Sequence, residues 1–260
     1  MINLETNTIV NEPAGKISSE PLIKVENLKV AFGNMEVLKG LSLKLFEEEN
    51  LVVLGKSGSG KSVLIKCIVR LLQPDSGSIE VLGKDVGSLN RKELAELRKK
   101  IGFLFQSGAL YDSMTVRENL EFPLIRIRKN MSKKEMKEKI EEALENVGLA
   151  DALDKMPSEL SGGMRKRISL ARTLVVDPLI MLYDEPTTGL DPVTSDEISA
   201  LMNEVQKKYK TSSIIITHDI ECARNTADRI IMVQDGVVYT EGTIDDFEKS
   251  NDPLIKSYFK

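Results

Sequence analysis

The chain has 260 residues, enough for one large domain or two small ones and for a sizeable core, and it carries a formal net charge of −4. That balance offers no basic face to nucleic acid, and no stretch approaches the roughly 20 apolar residues of a membrane span. The N-terminus lacks a signal-peptide hydrophobic region, and two cysteines, Cys67 and Cys222, fit a reducing compartment, so a soluble cytoplasmic protein is expected whose membrane work passes through a partner.

Residues 1–20 are polar with scattered Pro, Gly and Ser, and read as a flexible N-terminal extension. Leu22 to Leu54 and Ser78 to Gly83 read as β-rich, with Gly33-Asn34 as a turn between two strands. The apolar run Leu51-Val52-Val53-Leu54 leads directly into Gly55-Lys56-Ser57-Gly58-Ser59-Gly60-Lys61-Ser62, which spells G-x-x-x-x-G-K-S. A strand that enters a glycine-rich loop and leaves as a helix makes a phosphate cradle. The glycines let backbone N–H groups approach and point inward, and the helix adds the positive end of its dipole. Lys61 can then reach the β- and γ-phosphates, and the Ser62 hydroxyl can hold Mg²⁺. Alone, this motif leaves kinases, GTPases, helicases and transport ATPases open.

Strands at 51–54, 101–105, 179–183 and 213–216, separated by helical stretches, give an α/β pattern with a parallel core. Residues 115–177 contain helices and no convincing strand. Thr115-Val116-Arg117-Glu118 and Ser132-Lys133-Lys134-Glu135 are capping boxes. Met136, Ile140, Leu144 and Val147 then form one apolar stripe that Gly148 closes, and the Lys/Glu faces beside it read as solvated surface.

Leu160-Ser161-Gly162-Gly163-Met164 opens a further helix with Ser161 as N-cap and two glycines leaving the first N–H groups uncovered. Following a phosphate loop, it reads as a second phosphate-binding helix end. One that cannot reach its own chain's loop serves a neighbour's, which implies a dimer. The strand at 179–183 ends in Asp184-Glu185, where Asp184 can orient a Mg²⁺ shell and Glu185 can polarise an attacking water. Asp191-Pro192 starts another helix, with Ile198, Leu201, Met202 and Val205 as its buried face. Ile214-Ile215-Ile216-Thr217 delivers His218, the only histidine, in the position of a γ-phosphate sensor that orients the water near Glu185.

In this order the motifs resemble the ATPase subunit of an ABC transporter over about residues 21 to 243. The resemblance implies an α/β P-loop NTPase with a RecA-like parallel-sheet core, an antiparallel β subdomain and a helical subdomain at about 107–177, followed by a helical tail at 244–260. It implies ATP and Mg²⁺ as ligands. Phe32 takes the place of the aromatic that stacks on adenine, although Tyr is more usual there. Gly55 to Ser62, with Val63, is the Walker A segment, and Gln106 is the Q-loop glutamine that touches Mg²⁺ and the lytic water. Ser161, Gly162 and Gly163 match the signature motif, Asp184 and Glu185 the Walker B pair, Asp191 the D-loop, and His218 the switch histidine. Met164 departs from the pattern, which has Gln there. Absence of an internal repeat implies a homodimer or a paralogue, docked on a permease dimer through a groove to which Leu110, Tyr111 and Met114 could contribute, and lying on the cytoplasmic face of the inner membrane.

The stretch Phe105 to Tyr111, with Met114-Thr115-Val116, Asn119, Met164 and Arg165-Lys166-Arg167, resembles the Mla/MCE phospholipid-transport ATPases more closely than amino-acid or metal importers. That likeness implies phospholipid traffic between inner and outer membranes with a periplasmic MCE-domain lipid-binding protein and a small cytoplasmic partner, and no nucleic acid. The alternatives are another ABC importer or exporter ATPase, for amino acids, osmoprotectants or lipoproteins, and a non-transport ABC ATPase.

Overall fold

Two sheets and the helices between them account for the chain in a computed structural model, which describes residues 20–128 and 130–259. The extension expected over residues 1–20 lies, apart from Glu20, outside the described residues. Strands β1 (Ile23–Phe32) and β2 (Met35–Leu45) form a hairpin around Gly33-Asn34, with Gly33 at φ +60° supplying the left-handed turn residue. After β3 (Asn50–Leu54) and α1 (Lys61–Ile68), β4 (Ser76–Val81) and β5 (Lys84–Asp85) join that hairpin in an antiparallel sheet of order β2-β1-β4-β5.

The chain continues through α2 (Arg91–Arg98), β6 (Ile101–Leu104), α3 (Val116–Ile127), α4 (Lys133–Asn146) and α5 (Gly162–Leu174). It then passes through β7 (Ile180–Asp184), α6 (Pro192–Tyr209), β8 (Ser212–Thr217), α7 (Ile220–Thr226), β9 (Arg229–Gln234) and β10 (Val237–Gly242). Short helices α8 (Ile244–Glu248) and α9 (Pro253–Tyr258) close it. The second sheet has the order β10-β9-β3-β8-β7-β6, parallel throughout except for the edge strand β10.

Both faces of the parallel sheet are covered, as an all-parallel core requires. Val52, Leu54, Met181, Tyr183 and Ile215 pack with α3 to α6, while Leu51, Val53, Leu182, Ile214 and Ile216 pack with α1, α2 and the antiparallel sheet. The expected capping boxes at Thr115 and Ser132 form, and Ile140, Leu144 and Val147 are buried. Two corrections concern the sheet. The strand at 101–105 ends at Leu104, and β9 and β10 add two strands to the four expected.

Candidate active site

Leu54 ends β3 beside Thr217 at the end of β8, so the G-x-x-x-x-G-K-S loop leaves the sheet at its C-terminal edge. Close approach fixes its glycines. A Cβ at Gly55 would stand 2.5 Å from the Val233 carbonyl, and Gly60, at φ +95°, would press on Leu38 at 2.7 Å. Gly60 caps α1 without a side-chain hydrogen bond, and the first turn carries no acidic residue. The uncovered N–H groups therefore suit an anion. Lys61 is 4% exposed, and its Nζ donates to the Gly55 and Lys56 carbonyls at 2.7 and 3.0 Å while facing Glu185 Oε1 at 3.7 Å. Burial pushes its pKa below the usual lysine value, and the Glu185 carboxylate opposes that shift.

Ser62, one residue on, donates to Asp184 Oδ1 at 2.7 Å, closing a span of 122 residues between the loop and the end of β7. Glu185 steps out of that strand in a left-handed conformation, φ +51°, unusual for a side chain of its size. Its Oε2 accepts from Thr188 Oγ1 at 3.1 Å and lies 2.8 Å from His218 Nδ1. A carboxylate only accepts, so this contact puts the ring proton on Nδ1; Nε2 donates to a phosphate only when the ring is an imidazolium or has released Glu185. Among the described residues no cluster of three or more His, Cys, Asp or Glu is arranged to hold a metal by itself. The Ser62–Asp184 pair fits Mg²⁺ in the way that ion is usually held, by one or two protein oxygens completed by water and phosphate.

The remaining expected site residues occupy other places. Lys56, Ser57 and Gly58 form the exposed rim of the loop, Ser59 and Val63 are half-buried, and Phe32 is exposed at the β1–β2 turn. Gln106 is exposed just past β6, with its backbone carbonyl accepting from Lys166 Nζ. Ser161 caps α5 by accepting from the Met164 N–H. Gly162 and Gly163 lie against Leu190 and Thr194, and Asp191 binds Thr194 through both its oxygens at 3.1 and 2.6 Å. Thus the start of α5 is next to the 189–194 turn. Among the described residues no hydrogen bond ties 161–164 to 55–62. In the junction after Gln106, Tyr111 is 44% exposed, while Leu110 packs on the core and Met114 is half-buried.

The family model described as ABC transporter matches residues 38–188, more than half of the chain. The chain belongs to the ABC transporter family. The ABC chain is 37% identical over 244 residues to the methionine import ATP-binding protein of Rhizobium johnstonii, covering 94% of this chain and 67% of that protein. The same identity over 257 residues links it to the chloroplastic protein trigalactosyldiacylglycerol 3 of Arabidopsis thaliana, covering 92% of this chain and 74% of that one. It superposes with a TM-score of 0.78 on the dimeric structure of the bacterial ABC transporter cassette MJ0796, at 34% identity over 85% of this chain and 98% of that one. The same cassette is also known in a post-hydrolysis state bound to ADP and phosphate. The chain is accordingly an ATP-binding subunit with the fold of an ABC ATPase. Other methionine import relatives are covered over 63% of their length.

Sequence reasoning missed Thr188, which tethers the Glu185 carboxylate, and Lys166, which reaches both Gln106 and Glu185. Thr188 follows the acidic pair at a turn's distance and could have been found as its hydroxyl partner. Lys166 lies between two arginines and carries no such signal.

Proposed function

We propose that this chain hydrolyses ATP to drive a membrane permease, with Glu185 polarising the attacking water. One observation carries the reading: Lys61, the Ser62–Asp184 pair and the Glu185–His218 pair converge at the C-terminal ends of β3, β7 and β8. Lys61 and the α1 N–H groups bind the phosphates. Oε2 of Glu185 is held by Thr188 and His218, leaving Oε1 to accept from water. Ser62, Asp184 and Gln106 would hold Mg²⁺, which neutralises phosphate charge when bound. Phe32, exposed at its turn, stacks on the base. Ser161, Gly162, Gly163 and Asp191 meet the nucleotide of a second copy in a head-to-tail dimer. Residues 21–243 form the ATPase domain with the helical subdomain at 107–177, and 244–260 a tail. Tyr111 leads the permease groove, on the cytoplasmic face of the inner membrane.

Glu185→Gln tests this. Size and the tethers to Thr188 and His218 are kept while the basic carboxylate is lost, so ATP binding persists and turnover falls by about 10²–10⁴. Turnover within a few-fold of the parent removes Glu185 from the chemistry.

For the cargo, the methionine import relatives support an amino-acid importer over the phospholipid reading. A lipid cargo remains as a second reading, favoured by Met164 with Arg165-Lys166-Arg167 and by an equally identical relative that bears the name of a galactolipid. Purification of the native assembly separates them. An extracellular solute-binding protein and methionine-dependent ATPase activity support the first. An MCE-domain protein with extractable phospholipid supports the second.

A further inference from the structure

Lys166 is 6% exposed; the Asp184 and Glu185 carboxylates favour its charged form against the effect of burial, but among the described residues neither makes a direct ion pair with its ammonium. A buried cation without a direct ion pair is costly unless its donors are hydrogen-bonded. Here Nζ donates to two backbone carbonyls, those of Gln106 and, at 3.4 Å, of Glu185. Both carbonyls belong to residues whose side chains serve the hydrolysis reading above. One of them, Glu185, is in the left-handed region, where a non-glycine backbone is strained and needs outside support.

The rest of the same helix face grips the same loop. Lys166, Ser169 and Arg172 follow one another at i, i+3 and i+6 along α5. Gly108 packs so closely on Ser169 that an added Cβ would stand 2.6 Å from its Oγ, and Arg172 Nη1 donates to the Ala109 carbonyl at 2.7 Å. Of these three contacts only that of Lys166 extends to Glu185.

We infer that Lys166 is a positioning residue for hydrolysis: its ammonium ties the backbones of Gln106 and Glu185 to α5, so that the aim of the Glu185 carboxylate follows that helix. The inference rests on Glu185 acting on water. Because Ser161 caps α5, a shift of that exposed end reaches Glu185 through one side chain, five residues along a rigid rod.

The test compares K166M, K166Q, R172M and E185Q in the full chain by turnover at saturating ATP, ATP affinity and melting temperature. Methionine keeps the length of the stem and removes the donors. K166M is expected to lower turnover about tenfold or more while affinity stays within about threefold and melting is little changed, since misplacing a catalytic group by an ångström can cost about 10²-fold. K166Q, still a donor, recovers part of the loss, and it carries the test if K166M does not fold. R172M loosens the loop without touching Glu185 and stays within about threefold of the parent. Normal turnover in K166M, a joint fall of turnover, affinity and melting temperature in K166Q, or an equal loss in R172M each overturns the inference. If E185Q also turns over normally, the hydrolysis reading fails with it; if E185Q is dead while K166M is normal, only the role of Lys166 fails.

Discussion

Gly163→Ala offers a quantitative check on how the start of α5 meets the 189–194 turn. A Cβ at Gly163 would stand 2.6 Å from Thr194 Cγ2, about 0.8 Å inside ordinary contact. Thr194 cannot simply rotate away, because its Oγ1 donates to Asp191 Oδ2 at 2.6 Å and rotation would break that bond. Overpacking of this kind costs about 1–3 kcal/mol and a lost hydrogen bond about 1 kcal/mol, against about 1 kcal/mol gained by replacing glycine in a helix. The net expectation is a loss of about 1–3 kcal/mol, or about 2–12 °C in melting temperature for a chain of this size. Thr194→Ser removes Cγ2 and keeps the hydroxyl, so in that background Gly163→Ala should be neutral or stabilising by up to about 1 kcal/mol. Urea denaturation and thermal melting of the four proteins measure the cycle. An equal effect of Gly163→Ala in both backgrounds would falsify the proposed contact.

Lys61→Ala removes a charge beside the chain's own phosphate loop and should weaken ATP binding to the monomer, whereas Ser161→Arg should spare monomer binding and abolish dimer-dependent hydrolysis; equal losses of monomer affinity refute the trans geometry. Burial pushes the thiols of Cys67 and Cys222 up to about 11, so neither should react with iodoacetamide at pH 8 in the native protein and both should react after unfolding. Rapid native labelling of either at that pH counts against its burial. Arg229 holds Glu49 by two contacts of 2.8 and 3.2 Å and also reaches the Lys44 carbonyl and Glu241. Arg229→Met leaves Glu49 buried and unpaired and should cost about 3–5 kcal/mol by urea denaturation, much of it recovered in Arg229→Met/Glu49→Met; a double variant as unstable as the single one rejects this account.

The parallel core was legible because its central strands are buried on both faces, and such strands read as unbroken apolar runs. Leu51 to Leu54 and Ile214 to Thr217 show this directly. β9 escaped notice because its four-residue apolar run, Ile230 to Val233, ends in Gln234-Asp235 and not in a recognisable motif, whereas the equally short run Leu51 to Leu54 leads into the glycine-rich loop. β10 is an edge strand with half-exposed positions and no clean alternation. Caps were legible at Thr115, Ser132, Ser161 and Asp191 because capping is a local bargain between residues three apart. The left-handed turn of Glu185 and the burial of Lys166 were not, since both depend on elements far away in the chain. In sequence Lys166 is one basic residue in a basic run; in the fold it faces inward with Ile168 and Ser169 buried beside it.

Register explains why residues so distant in sequence share one site. β3, β8 and β7 are adjacent and parallel, with Leu54 opposite Thr217 and Ile216 opposite Asp184, so all three strands end at nearly one level. Parallel sheets place ligand chemistry at the carboxyl ends of their strands, where helices begin and backbone N–H groups are left uncovered. Each of the three ends delivers one kind of group: the glycine loop with Lys61 and Ser62, the Asp184-Glu185 pair, and His218. A slip of one residue in β7 would exchange its two buried faces and carry Asp184 away from Ser62. The apolar residues that fill the two core layers therefore also set the 2.7 Å Ser62–Asp184 contact. The geometry of this candidate site is a consequence of core packing, and mutations in β7 that shift register should disable the site without touching a polar residue.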